Sequence, residues 1–179
     1  MISAQLFNFF KDEITYSKQK QNIKIDKGLE LYLTKLMLDR ISEVNDTQAY
    51  LTDIYLKCTH AKNSTEALIE FRRLGDISLF NAGYFYENLF SKSKNLNYYI
   101  DMGQTGYQVA GEISKDKIYF LLRDDYVKCL CILNFIVENK RRHSRKDLER
   151  LYQFYTETYS PGNKIFLAGL QMMTQEINE

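Results

Sequence analysis

The stretch GDISLFNAGYFYENLF, residues 75–90, gives the clearest indication of the fold. Ile77, Phe80 and Tyr84 lie on one stripe at helical spacing, and further apolar residues cover most of the remaining surface. A helix that is apolar nearly all round is typical of the centre of a helical bundle. We therefore predict a central apolar helix over about 76–90.

The glycines of this stretch predict how the helix begins and packs. Gly75 suits the end of a preceding helix and Asp76 suits the start of the next, so we expect a tight corner between them. Gly83 lies within the helix, where glycine costs about 1 kcal/mol relative to alanine. We expect a close crossing to offset this cost, against a strip of small residues on the next helix that contains Gly103 and Gly106.

Helical spacing continues along the rest of the chain. Asp26 is a good N-cap and precedes the most regular apolar stripe, which includes Tyr32. Asn63 and Glu66 have the spacing of a capping box, which marks another helix start. The sequence RDD at residues 123–125 predicts an interruption in a later helical segment.

The composition favours helices over sheet. Proline occurs once and glycine 8 times, which leaves few helix breakers, and no segment keeps the two-residue alternation of a strand. We predict an all-α fold that forms a single domain over residues 1–179. Its architecture is expected to be an orthogonal or irregular bundle of about eight or nine helices around the central helix.

Composition and charge indicate a folded protein in a reducing compartment. Of the 179 residues, 45% are apolar and 26% are charged, which argues against disorder, and the net charge of +1 favours neither nucleic acid nor membrane. The longest apolar stretch, residues 126–137, is too short for a membrane span and predicts a buried helix. Three cysteines without paired spacing, and an N-terminus unlike a signal peptide, lead us to expect a cytoplasmic protein.

The sequence carries no familiar catalytic or metal-binding motif. Neither His60 nor His143 has a histidine, cysteine or glutamate three or four residues later, and GxSxG and the phosphate-binding GxxxxGK[ST] are absent. The glycines of GQTGYQVAG, residues 103–111, follow no predicted strand, which the dinucleotide-binding motif requires. We therefore expect no cofactor, no metal and no catalytic residue.

The densest charged run is KRRHSRK at residues 140–146. Such a run can contact phosphate, RNA or an acidic partner, but basic residues also stabilise the C-terminal end of a helix. A protein that binds single-stranded nucleic acid needs aromatic residues among its basic ones, and this run has none. Nucleic-acid binding is therefore the less favoured interpretation. The candidate basic patch consists of Lys140, Arg141, Arg142, His143, Arg145 and Lys146.

Several short motifs resemble an uncharacterised family of bacterial all-helical proteins. They are LGD at 74–76, LF at 79–80, Gly83 and Phe85, YYIDMG at 98–103, Tyr107, and LYLTKLMLDR at 31–40. The resemblance covers most of the chain. It implies a bacterial cytoplasmic protein and supplies no catalytic residue, because that family has no assigned activity.

Two hypotheses about function follow. The first is a non-enzymatic regulatory or adaptor-type protein that acts through protein–protein contacts, with a protein partner or with a second copy of itself. It is motivated by the missing catalytic motifs and by 14 tyrosines and 11 phenylalanines, since aromatic residues are enriched at interfaces.

The alternative is a small-molecule-binding protein with an aromatic pocket between helices 76–90 and 98–113. Its candidate residues are Asn81, Tyr84, Tyr86, Tyr98 and Tyr107. Asn81 motivates it, because a buried amide without partners costs about 1–3 kcal/mol. We favour satisfaction of Asn81 by tyrosine hydroxyls and backbone, and a cavity or a partner is the other possibility.

Overall fold

The computed structural model describes residues 2–42, 50–84 and 95–140, and within these ranges every regular element is an α-helix. The predicted all-α class is confirmed for this part of the chain. The helices that we predicted beyond residue 140 lie outside it, so the total of eight or nine helices, the single domain and the orthogonal arrangement stay predictions. The seven helices described are α1 (Ile2–Lys20), α2 (Lys27–Ser42), α3 (Leu51–Thr59), α4 (Ser64–Tyr84), α5 (Leu96–Ser114), α6 (Lys117–Asp124) and α7 (Tyr126–Lys140).

The local signals for helix starts act as predicted. Asp26 Oδ1 accepts a 2.7 Å hydrogen bond from the backbone N–H of Gly28 at the start of α2. At the start of α4, Asn63 Oδ1 accepts a 2.9 Å bond from the N–H of Glu66. The Glu66 carboxylate accepts in turn from the backbone N–H of Lys62 at 2.8 Å. These bonds satisfy N–H groups that the helix itself leaves without partners.

The interruption predicted at 123–125 is also present. Helix α6 ends at Asp124, and α7 begins at Tyr126 after a single turn residue. Most of the apolar stretch from 126 to 137 is buried, as expected of a helix inside the core. Among the described helices, none is long and apolar enough to cross a membrane.

The predicted corner at Gly75 and Asp76 is wrong, because α4 continues through both residues as one helix, Ser64–Tyr84. Gly75 serves close packing instead of termination, since a Cβ at this position would lie 2.6 Å from the Tyr107 ring. Asp76 is buried and bonded to tyrosines from other helices, so it does not cap a helix. Tertiary packing has overridden the local preference of both residues.

The close crossing exists, but between different glycines. A Cβ on Gly106 of α5 would lie 2.6 Å from the carbonyl oxygen of Phe71 and 2.7 Å from the backbone nitrogen of Gly75, both on α4. Gly83, which we expected at this crossing, faces α7 instead, where its Cβ would lie 2.8 Å from Leu133 Cβ. Gly106 therefore fits the prediction, and its partner does not.

Helix α4 lies at the centre of the described bundle. It packs against α2, α3, α5 and α7, and all seven residues from 74 to 80 are buried. This agrees with the predicted central position of the apolar stretch, whose last residues, 85–90, lie outside the described ranges. Because α4 contacts helices on several sides, one of its side chains can join two or three of them.

Candidate functional site

A surface cleft of about 270 Å³ lies between α2 and α4. Among the described residues, four cationic side chains line it together with two carboxylates, one phenol and two aliphatic side chains. Its lining residues are Lys35, Arg40, Arg72, Arg73, Asp39, Asp76, Tyr32, Leu36 and Ile69. The cleft thus combines a concentration of charge with a short apolar wall.

Asp76 joins the cleft to the core. Its side chain is only 9% exposed, and a single oxygen, Oδ1, accepts two hydrogen bonds. Tyr32 Oη on α2 donates one of them at 2.7 Å. Tyr107 Oη on α5 donates the other at 2.9 Å. Two phenols, one from α2 and one from α5, therefore hold the Asp76 carboxylate of α4.

Arg72, one helical turn before Asp76, is held on one edge by the same group. Its Nε lies 3.4 Å from Asp76 Oδ2 and donates to Tyr32 Oη at 3.3 Å. The guanidinium carbon lies 5.7 Å from the centre of the Tyr32 ring, which is a cation–π contact. These contacts fix one edge of the guanidinium. Half of the Arg72 side chain stays exposed, and it reaches into the cleft.

Burial controls the protonation of this network. It raises the pKa of Asp76, and the hydrogen bond from Tyr32, the charge of Arg72 and the hydrogen bond from Tyr107 oppose the rise. The pKa values of Tyr32 and Tyr107 are raised, first by burial and then by the charge of Asp76. Both phenols therefore stay protonated and act as hydrogen-bond donors over the ordinary pH range.

Further tyrosine rings pack behind the carboxylate. The ring of Tyr107 is 6.3 Å from that of Tyr32 in an edge-to-face arrangement and 6.4 Å from that of Tyr119 in a stacked one. Tyr126 lies 6.1 Å away on another side. Aromatic pairs at these distances are favourable beyond their buried area. The rings pack beneath the base of the cleft.

The charges of the cleft favour anion binding. Among the described lining residues, four cationic side chains outnumber two carboxylates, and Glu70 outside the lining lies 3.7 Å from Arg73. Serine, cysteine and histidine do not occur among the described lining residues, whereas aspartate, lysine and tyrosine do. Within the described ranges, no three His, Cys, Asp or Glu side chains converge as a metal site would require.

The tyrosines and the amide of the predicted aromatic pocket occupy different surroundings. Tyr107 is buried and bonded to Asp76. Asn81 and Tyr84, near the end of α4, are partly buried, and the Tyr84 ring stacks on Phe80 with centres 5.1 Å apart. Tyr98, at the start of α5, is 38% exposed. Of these described residues, Tyr107 alone belongs to the Asp76 network, and none lines the α2–α4 cleft.

The remaining predicted residues fall outside what the structure describes. Tyr86 lies beyond the described end of α4. In the candidate basic patch, Lys140 is the last residue of α7, and the others lie outside the described ranges. The patch and the pocket as a whole stay predictions.

Sequence reasoning missed the residues that form the cleft. Tyr32 was assigned to the core stripe of α2, and Asp76 was assigned to a cap. Arg72 and Asp76 have the i, i+4 spacing of a helical ion pair, which was the available signal. This spacing did not lead to a predicted ion pair, because the predicted corner at Gly75 placed Arg72 and Asp76 on different helices.

Comparisons of the chain with family models, curated proteins and solved structures give no match. The resemblance to a bacterial helical family therefore stays a prediction from the short motifs. Function has to be inferred from the cleft and its supporting network.

Proposed function

We propose that this protein is a non-enzymatic binding protein that holds a small, negatively charged ligand in the cleft between α2 and α4. The proposal keeps the small-molecule class of our alternative hypothesis but places the site between α2 and α4 instead of between helices 76–90 and 98–113. The observation that carries it is the fixed guanidinium of Arg72, which Asp76 and Tyr32 hold at one edge.

A guanidinium fixed in this way is a prepared anion site. Arginine carries five N–H donors in a planar fork, and Nε makes both contacts of Arg72 with Asp76 and Tyr32. Ordering a long side chain before binding reduces the entropy that the complex has to lose. Arg72 therefore resembles a binding residue more than a solvated surface arginine.

The size and lining of the cleft favour a small ligand. Ligand pockets commonly enclose about 300–1,000 Å³, and the volume of about 270 Å³ lies just below that range. Leu36 and Ile69 supply apolar contact next to the charged groups.

A thermal-shift assay against simple anions tests the proposal. Acetate, citrate, sulfate and phosphate, supplied as sodium salts with sodium chloride as the ionic-strength control, are compared on the wild type, Arg72→Ala and Arg123→Ala. Arg123 is a matched control because it pairs with Asp124 on α6, away from the cleft. At least one anion should raise the melting temperature of the wild type and of Arg123→Ala, but not that of Arg72→Ala. An equal response of Arg72→Ala, or no response to any anion, would exclude an anion site in the cleft.

A protein partner is the second candidate function, and Ile69 favours it. This side chain is 58% exposed although it lines the cleft, and Leu56 and Tyr55 of the neighbouring α3 are exposed as well. A second copy of the chain that covered these residues would remove apolar surface from water. Light scattering after size exclusion should then give a dimer for the wild type and a monomer for Ile69→Glu. A monomeric wild type at high concentration would exclude self-association.

A further inference from the structure

We infer that an anion bound at Arg72 enters the α2–α4 cleft together with a proton, which Asp76 takes up on the oxygen that faces Arg72. The inference rests on the proposed function and adds how pH regulates that site. Three observations carry it, namely the hydrogen bonds of Asp76, the contacts that hold Arg72 and the groups that surround both.

The two oxygens of the Asp76 carboxylate have different partners. Oδ1 accepts hydrogen bonds from Tyr32 at 2.7 Å and from Tyr107 at 2.9 Å, and two donors fill the two lone pairs of a carboxylate oxygen. Oδ2 lies 3.4 Å from Arg72 Nε and is the oxygen with room for a proton. A proton on Oδ2 turns this atom into a donor and removes the negative charge that Arg72 faces. The proton and the guanidinium therefore compete for the same oxygen.

Arg72 keeps its other contacts when Asp76 is neutral. Its Nε donates to Tyr32 Oη at 3.3 Å, and its guanidinium carbon lies 5.7 Å from the centre of the Tyr32 ring. Tyr32 in turn stays in place, because the carbonyl oxygen of a neutral carboxyl group still accepts its hydrogen bond. Protonation of Asp76 thus removes the charge that compensates Arg72 but leaves the tyrosine contacts that position it.

An ionised Asp76 opposes the binding of an anion at Arg72. The carboxylate occupies the Nε edge of the guanidinium, so an anion has to bind at the edge that reaches into the cleft. Two like charges on opposite edges of one guanidinium lie roughly 7 Å apart. At an effective dielectric constant of about 35, their repulsion lowers the affinity for a singly charged anion about tenfold.

Other titratable and charged groups face Asp76 from α2, α4, α5, α6 and α7. They are Tyr32, Arg40, Arg72, Tyr107, Tyr119 and Tyr126. From α3, Cys58 interacts with Glu70 and Arg73 instead. Burial raises the pKa values of the four phenols, and arginine stays charged, so among these groups Asp76 alone changes its charge between about pH 4 and pH 8.

The direction of the pH effect follows from the surroundings of Asp76. Burial raises its pKa above the ordinary value of about 3.9, and the nearby phenols and arginines only oppose that rise. Anion affinity is therefore highest below the pKa of Asp76 in the folded protein, and it falls as the pH rises through that value. By linkage, a bound anion raises the pKa of Asp76 and draws a proton from solution.

Isothermal titration calorimetry with sulfate and methanesulfonate tests the inference, since both probes keep a fixed charge from about pH 4.5 to pH 8. The affinity of the wild type should fall about tenfold as the pH rises. Asp76→Asn should keep the high affinity throughout. Asp39 also lines the cleft but is present in both proteins, so the difference between their profiles belongs to Asp76. Asp124→Asn is the control and should follow the wild type, because Asp124 pairs with Arg123 away from the cleft.

The proton itself can be counted on the wild type alone, which keeps the test valid if Asp76→Asn fails to fold. Titrations in two cationic buffers of different ionisation enthalpy give the number of protons taken up with each anion. A tenfold coupling corresponds to an uptake of about half a proton per bound anion at the pH where the affinity changes most steeply. Asp76→Asn should take up none at that pH.

Tyr107→Phe distinguishes titration of Asp76 from a structural effect. Tyr107 lies outside the cleft lining, and its hydrogen bond opposes the rise in the pKa of Asp76. Loss of this bond should move the fall in affinity to a pH about one unit higher, since a hydrogen bond to a charged group is worth about that much. A structural role alone would change the affinity by the same factor at every pH.

The outcomes separate this inference from the proposed function. If the wild type binds sulfate or methanesulfonate with the same pH profile as Asp76→Asn and takes up no proton, the coupling is wrong and the anion site stands. If neither probe binds the wild type at any pH, both the coupling and the proposed function are wrong.

Discussion

Tyr107 Oη on α5 donates a 2.9 Å hydrogen bond to Asp76 Oδ1 on α4, and both side chains are buried. Tyr32 on α2 donates to the same oxygen at 2.7 Å. One carboxylate therefore joins three helices at the base of the cleft. A buried charged group costs free energy unless it is hydrogen-bonded, so each phenol contributes to the stability of the fold as well as to the shape of the site.

Removal of the Tyr107 hydroxyl should destabilise the protein measurably. Tyr107→Phe keeps the ring and its packing but removes one donor to Asp76, and hydrogen bonds to charged groups are worth about 1.5–3 kcal/mol. We expect the free energy of unfolding in urea to fall by about 2 kcal/mol. Tyr98→Phe is the matched control on the same helix, where the side chain is 38% exposed, and its effect should stay within about 0.5 kcal/mol. Equal effects of the two variants would show that the Tyr107–Asp76 bond is not a significant source of stability.

Asp76 should make stability fall as the pH rises. Burial raises its pKa in the folded protein above the ordinary value of about 3.9, so the folded state binds the proton more tightly than the unfolded chain. The resulting stabilisation is complete below the unfolded pKa and is lost as the pH rises through the folded pKa.

Asp76→Asn isolates this contribution, because asparagine is neutral and its carbonyl oxygen can still accept from Tyr32 and Tyr107. We expect the free energy of unfolding of the wild type, minus that of Asp76→Asn, to decrease between about pH 4 and the folded pKa and then to level off. Urea unfolding across this range measures the difference. A difference that grows with pH would mean that Arg72 and the phenols outweigh burial.

Replacement of Gly106 by alanine should disrupt the crossing of α4 and α5. The new Cβ would lie 2.6 Å from the carbonyl oxygen of Phe71, and backbone cannot move aside as the end of a side chain can. Overpacking costs about 1–3 kcal/mol, and we expect a loss near 3 kcal/mol despite the better helix propensity of alanine.

Gly28→Ala is the control for this substitution, because its Cβ would meet only side-chain atoms, 3.0 Å from Asp26 Oδ1 and 3.3 Å from Ile118 Cδ1. Its effect on the urea midpoint should correspond to about 1 kcal/mol or less. If Gly106→Ala unfolds at the same urea concentration as Gly28→Ala, the two helices do not cross as closely as described.

The sequence predicts the helices better than it predicts their contacts. Capping by Asp26 and Asn63 depends on residues a few positions away, so local spacing was sufficient. The role of Gly75 depends on Tyr107 and Gly106, which are more than thirty residues along the chain. Local rules therefore assigned Gly75 to a helix end, and that error carried over to Asp76.

The cleft was not predictable for a related reason. Tyr32 lies on the apolar stripe of α2, and its spacing predicts only a core contact. The hydrogen bond of its hydroxyl to Asp76 depends on the position of α4. The sequence places Tyr107 in a candidate pocket with Asn81, whereas its partner in the structure is a carboxylate 31 residues away in sequence. Polar groups on separate helices converge only through tertiary packing, which helical spacing does not encode.

The three cysteines should be unreactive in the folded protein. All are buried, and burial, together with the charge of Glu70, raises the pKa of the Cys58 thiol to about 11. Burial also raises the pKa values of Cys129 and Cys131. Because the thiolate is the nucleophile, roughly a thousandth of Cys58 is reactive at pH 8, and access to reagent is restricted as well.

A disulfide reagent such as dithionitrobenzoate should therefore release no chromophore in the first minutes from native protein, and three equivalents at once in guanidinium chloride. Cys58→Ser should slow whatever reaction the native protein does show, since Cys58 lies on the short helix α3 and burial leaves its thiol pKa at about 11. One rapid equivalent from the native wild type would contradict the burial of α3 against α4.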